Sequence, residues 1–420
     1  MDGEKRAIVF AGGGSKGAYQ LGAWKALNEL GEEFQIATGT SIGSINAGFY
    51  VQHDFQAAEK MWSEVTAGDI MVNGINFDVS FDSIFSQREN LIPLLKNYIN
   101  TKSVDVTPFY NMIQRYFEPE RFFSSDIDFA LMTVNIQGIT PVEITKAQMS
   151  RDKENAWRWI AASSACFPVF PATEIDGVHY IDGGYYDNIP IASAIKLGAD
   201  SAVVVDLKTD NNHETYIHHP CITYIKPSRD LGAFLNFDRE VLDRSMKLGY
   251  NDTMKVYGRY YGRLYTFIPG ADGKESLENA ARAFISVLNK MEAEFDYSPK
   301  IPFQRVNRIE GCMNILADYC GKPHPSSEEV FISALEMFMK LLKLDDTKEY
   351  DIGELLFFLK TEVDRIYPLL EFDVESAFSK VKEFVKEYTN EKFPDFKKNE
   401  EDRMMLIITS LMRGLQRVRL

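Results

Sequence analysis

The chain has 420 residues, four cysteines, a formal charge of -15 and a pI near 5.0. That length suits two or three domains, and a 45% hydrophobic, 25% charged composition is that of a globular protein with a sizeable core. The acidic balance argues against a nucleic-acid partner and against tight docking on anionic lipid, because both need clustered positive charge. Cys166, Cys221, Cys312 and Cys320 lack the spacing of a metal site or a disulfide framework and read as free thiols. "MDGEKRAIVF" has no signal-peptide core, and no apolar run is long enough for a bilayer, so the expected location is cytoplasmic.

From residue 5 to about 206 strand and helix patterns alternate, the mark of a sheet covered by helices. Strands are expected at 6–11, 34–38, 128–136, 178–181 and 201–206, with one more in "CITYIKPS" at 221–228. Helices are expected at 16–30, 42–52, 55–66, 153–164 and 190–197, and again up to about 257. Between them, 67–125 is an aromatic-rich insertion suited to a lid or a pocket wall, with a short helical pattern at 88–98. After about 270 the composition shifts. Ser326-x-x-Glu329 has the form of a capping box, and Phe331, Leu335, Phe338 and Leu342 follow at helical spacing. Similar rhythms at 374–388 and 408–415 predict an all-α C-terminal domain of five or six helices over 270–420, after a catalytic domain over 1–269.

Three stretches carry chemistry. "AGGGSKGAYQ" follows the first strand, so Gly12, Gly13, Gly14, Ser15, Lys16 and Gly17 form a loop whose amides and helix N-terminus converge on an anion. A dinucleotide site would need an acidic residue closing the second strand, but that strand ends in "ATGTS". A phosphate loop would need Ser or Thr after its lysine, but Gly17 follows Lys16. The remaining anion is one that forms during a reaction. Gly39-Thr40-Ser41-Ile42-Gly43 supplies its partner, a G-x-S-x-G elbow between a strand and a helix. Ser41 is the candidate nucleophile, and it would lie near the amides of Gly13 and Gly14 if the first two strands are neighbours. Lys16, a cation in the first helical turn, opposes the dipole. It is either paired with a carboxylate or adds positive potential where negative charge develops. The third stretch, "VHYIDGGYYDNIPI", delivers Asp182 at the end of a strand, with Gly183 and Gly184 turning the chain beside it. Asn188 and Pro190 read as the cap and first turn of the next helix.

Together, and with "AASSACFPVFPATEIDG" leading to the aspartate, these motifs resemble the patatin-like phospholipase family over residues 5–210. The resemblance implies a three-layer α/β/α fold with a mostly parallel central sheet, and a Ser-Asp dyad that hydrolyses acyl esters of lipids. It implies Ser41 as nucleophile, Asp182 as base, Gly12, Gly13 and Gly14 as oxyanion hole, and Lys16, Gly17, Gly39, Gly43, Gly183 and Gly184 in support. It implies no metal and no cofactor, and as partners a lipid or small acyl-ester substrate and transient contact with a membrane surface. The chain order also admits a Ser-Asp-His triad using His213, His218, His219 or His324. Against it, only one strand precedes the elbow. A third reading is a binding protein on a lipase scaffold. The helical tail lies outside the resemblance, and the "DNNHE" run at 210–214 reads as a solvated loop.

Overall fold

The computed structural model describes residues 4–72, 104–167, 169–208, 216–270, 273–296, 311–322, 324–366, 374–389 and 398–417. Most of the 67–125 insertion, His213 and the 210–214 run lie outside these residues. The chain divides into two compact units, Met1–Val256 and Tyr257–Leu420.

The first unit is built on β1 (Arg6–Phe10), α1 (Ala18–Glu29), β2 (Ile36–Thr40), α2 (Ile42–Val51) and α3 (Phe55–Glu64). Next come α4 (Thr107–Tyr116), α5 (Pro119–Ser124), β3 (Asp128–Asn135), β4 (Thr140–Thr145) and α6 (Trp157–Ser163). The unit ends with β5 (Thr173–Ile175), β6 (Val178–Asp182), α7 (Ile191–Lys196), β7 (Ser201–Val205), β8 (Ile222–Ile225) and α8 (Arg239–Val256). The sheet order is β5-β6-β3-β2-β1-β7-β8, with β4 on β3. From β3 through β2, β1 and β7 to β8 every pairing is parallel. Runs such as "AIVF" and "AVVV" are buried, as expected of strands covered on both faces. β4, β5 and β6 pair antiparallel. The hairpin strand β4 and the short β5 carry no strong apolar pattern, and the sequence reading missed them.

One pairing detail positions the site. β4 runs along one edge of β3 from Ala130 to Asn135. The other edge is shared: β2 pairs with it up to Thr40–Met132, and β6 takes over from Asp182–Thr133 in the opposite direction. The C-terminal ends of β2 and β6 therefore meet head to head between Met132 and Thr133. Residues far apart in sequence arrive at one point.

The second unit contains β9 (Thr266–Ile268), α9 (Gly273–Asp296), α10 (Cys312–Cys320), α11 (Ser327–Leu341), β10 (Glu349–Asp351), α12 (Ile352–Ile366), α13 (Val374–Thr389) and α14 (Lys398–Arg417). The β9–β10 pair, parallel over three residues, was not expected in a helical tail. It draws residues 266–268 into this unit, so the division precedes the shift in composition. The helical spacing is reflected in burial: Phe331, Leu335, Phe338, Ile408, Leu411, Met412 and Leu415 are all in one core. Among the described residues no helix is long and apolar enough to cross a membrane, and all four cysteines are free thiols.

Candidate active site

Ser41 stands between β2 and α2 with φ 55 and ψ -129, a conformation that L residues rarely adopt and that costs on the order of 1–3 kcal/mol. The elbow closes tightly. A Cβ on Gly39 would lie 2.2 Å from the Gly43 carbonyl oxygen, and one on Gly43 would lie 2.2 Å from that of Phe10. The turn needs bare backbone at both places. The Ser41 amide donates to Ser163 Oγ at 2.9 Å, and that hydroxyl donates to the Met132 carbonyl at 2.7 Å. Ser163 thus ties the elbow to the seam where β2 and β6 meet. The sequence treats it as a helix-end residue, and no local signal marks its role.

Asp182 ends β6 and is fully buried. Its Oδ1 accepts the Gly184 amide at 2.8 Å, while Oδ2 is buried and has no hydrogen-bond partner within bonding geometry among the described residues. Burial raises its pKa from the ordinary 3.8 to about 7, against the lowering influence of the Ser41 hydroxyl and the Gly184 amide. The carboxylate therefore faces the Ser41 hydroxyl. Cys166 and Tyr185, also beside Asp182, are driven the same way by burial and remain protonated.

The glycine loop lies on the other side of Ser41, because β1 and β2 are parallel neighbours. A Cβ on Gly12 would sit 3.1 Å from Ser41 Cβ and 2.4 Å from Asn188 Oδ1. The expectation for the Gly12 amide needs correction: it donates to the Asn188 carbonyl at 3.0 Å, and the Asn188 amide returns a bond to the Gly12 carbonyl at 3.0 Å. Asn188 is thus a clamp on the loop and not a helix cap; α7 starts after Pro190 without a side-chain cap. Among the described residues no acceptor engages the amides of Gly13 or Gly14. Gly14 opens a short 3₁₀ turn, Gly14–Gly17, with φ 59. Lys16 in that turn is half-buried and has no ion-pair partner among the described residues. Buried amide side chains hold this loop to α2. Gln20 donates to the Ala11 carbonyl at 2.7 Å, Asn46 to Gln20 at 2.7 Å, and the Trp62 indole to Asn46 at 3.0 Å.

A cavity opens beside Ser41 and Gly14, walled by apolar side chains such as Ile45, Met61, Trp62, Phe109 and Phe234. Phe109 comes from α4, inside the aromatic insertion. None of the residues lining this cavity is a histidine. His53 faces Asp126 at 3.7 Å, His179 faces Glu174 at 3.8 Å, and His219 Nδ1 accepts the Cys221 amide at 3.3 Å. Among the described residues no group of three or more His, Cys, Asp or Glu could hold a metal ion.

A serine in a strained elbow, a buried carboxylate facing it and unengaged loop amides beside it form one constellation. Residues 8–195 match the family model of the patatin-like phospholipases. This stretch is a patatin-like domain. The human patatin-like phospholipase domain-containing protein 6 is 26% identical over 210 residues, covering 49% of this chain and 14% of that one. Lysophospholipase NTE1 of Candida albicans is 27% identical over 210 residues, covering 49% of this chain and 13% of that one. The chain thus spans about a seventh of the length of these relatives. VipD from Legionella pneumophila, a solved structure, aligns over 98% of this chain and 91% of its own at 12% identity and a TM-score of 0.40.

Proposed function

We propose that this protein is a lipid acyl hydrolase that cleaves carboxylic esters, of the phospholipid or lysophospholipid class, through Ser41 and Asp182. The observation that carries the reading is the buried Asp182 carboxyl, raised to about 7 and facing Ser41. A carboxylate at its ordinary pKa is a weak base toward a hydroxyl, and a raised one is better matched to neutral pH. Family membership over 8–195 and the relatives' names support the substrate class.

In this reading Ser41 Oγ attacks the acyl carbonyl as its proton passes to Asp182. The carbonyl oxygen becomes an oxyanion held by the amides of Gly13 and Gly14, with Lys16 adding positive potential nearby. Asp182 returns the proton to the departing alcohol. Water then gives a proton to Asp182 and attacks the acyl-serine, and Asp182 passes that proton to Ser41 Oγ as its bond to the acyl carbon breaks, releasing the acid. The apolar cavity beside Ser41 receives the acyl chain. With a charge of -15, single-chain esters in monomeric or micellar form should be cleaved faster than diacyl lipid in anionic vesicles.

Labelling with a fluorophosphonate tests the reading. One adduct per chain is expected, on the peptide containing Ser41, and none in Ser41→Ala. Full labelling of Ser41→Ala would remove the assignment.

A further inference from the structure

A second hollow adjoins the first, and the two share Ile45, Met61 and Met112 as walls. Two in a row, both apolar and leading away from the nucleophile, point to a ligand that fills them in sequence. Their direction follows from α2. Ile42 and Ile45 border the first hollow, Ile45, Gly48 and Phe49 the second, and Gln52 closes it. From Ile42 to Gln52 the helix rises about 15 Å, so the path runs from Ser41 along one face of α2 to its C-terminal end. The end is sealed. The Gln52 side chain donates to the Tyr116 carbonyl at 3.1 Å and accepts the Glu118 amide at 2.6 Å, so its carbonyl and one of its amide hydrogens are engaged there. A chain with an apolar terminus fits there, and one with a charged terminus does not.

Building on the ester-hydrolase reading, we propose that the second hollow is the terminal compartment of the acyl site. Met61 and Met112, with Ile45, form the gate that sets acyl-chain length. Methionine suits a gate, being unbranched and able to re-pack around an occupant. Short acyl groups end in the first hollow. Long ones pass between the two methionines and displace empty space.

The test is the kcat/KM ratio for dodecanoyl over butyryl nitrophenyl ester in the full-length protein. Gly48 borders only the second hollow, and a Cβ there would meet Ile160 Cδ1 at 3.3 Å, a side-chain end that can shift. Gly48→Leu should lower the ratio by about tenfold or more, since each excluded methylene forfeits roughly fourfold. Ile113→Phe, on α4 and also bordering only the second hollow, should do the same and serves if Gly48→Leu does not fold. Both folded variants keeping the wild-type ratio, while turnover still requires Ser41, would overturn the gate alone. Turnover of both esters that survives Ser41→Ala would overturn the hydrolase reading and the gate with it.

Discussion

Each unit buries a carboxylate completely, Glu336 in the helical unit and Asp182 in the patatin-like one. Glu336 Oε1 accepts three backbone amides, from Arg263 at 2.7 Å, Leu264 at 2.9 Å and Tyr265 at 3.0 Å. Asp182 Oδ1 accepts a single amide, from Gly184 at 2.8 Å. The helical unit also buries Arg403 and meets it with Glu292 at 2.8 Å. Buried charge is costly unless paired or hydrogen-bonded. One unit meets that rule with amides and a counter-ion. The other gives its carboxylate one amide where Glu336 has three, beside a strained serine, which is how a site suited to chemistry differs from a site suited to holding a fold.

The largest effect that can break this contrast comes from Asp182→Asn. Loss of the base should lower kcat by about 10²–10⁴-fold, and the wild-type kcat/KM should fall on the acid side of about pH 7, where Asp182 takes up a proton. Stability should move the opposite way. The folded pKa lies above the ordinary 3.8, so between these values the folded state binds the extra proton and its stability falls as pH rises. At about pH 8 the ionised carboxylate costs at most about 4 kcal/mol, which the amide removes. Chemical denaturation should find Asp182→Asn more stable than wild type by most of that amount at about pH 8, by less than half of it at about pH 5, and nearly equal to wild type only at about pH 3. A stability difference that stays constant with pH would mean Asp182 is as well satisfied as Glu336.

Next in size is Arg403→Met in the helical unit. Removing the cation leaves the partly buried Glu292 with the Cys312 amide at 2.8 Å in place of a counter-ion, a loss of about 3 kcal/mol at most, the low end for breaking a buried pair. Unfolding midpoints read it, and a variant as stable as wild type would mean the helical unit tolerates unpaired charge no better explained than that of Asp182. A smaller effect, about 1–3 kcal/mol, is expected for Ser163→Ala, which strands the Ser41 amide and the Met132 carbonyl. Because that hydroxyl holds the elbow, kcat should fall more than KM changes, and Ser163→Thr should recover part of it. Equal kcat in Ser163→Ala would make Ser163 an ordinary core residue.

What could be read from sequence follows the same division. The Ser326 box, the strand runs and the helical rhythms are local patterns, and local patterns appear in sequence. Ser41 and Asp182 were legible because each sits in a short motif with its own backbone demand. Their meeting was not, since it depends on β6 taking over the edge of β3 where β2 stops. Ser163 and Asn188 act across gaps of 122 and 176 residues, and nothing in "AASSA" or "YYDNIP" announces such partners. Gly12 misled for the same reason: a glycine in a loop shows that its Cβ is unwanted, not where its amide points.

Two serines at helix N-termini give the smallest and cleanest test. Ser326 precedes α11 and caps it: its Oγ accepts the Glu329 amide at 3.3 Å, and Glu329 Oε2 accepts the Ser326 amide at 2.8 Å. Ser41 precedes α2 and makes no side-chain cap bond. Its hydroxyl is withheld from the helix it begins. Ser326→Ala should therefore cost about 1 kcal/mol, the usual loss for such a cap, with turnover unchanged. Ser41→Ala should cost nothing as a cap, since there is no cap bond to lose. Ser41→Gly should go further. Glycine adopts φ 55 without a Cβ penalty, and although it loses more chain entropy on folding, by about 0.5–1 kcal/mol, relief of the strain is larger. Measured at about pH 5, where Asp182 is mostly protonated, the glycine variant should be about 1 kcal/mol more stable than Ser41→Ala and equally inactive. If Ser41→Gly is instead the less stable of the two, Ser41 carries no backbone strain, and the elbow is an ordinary turn.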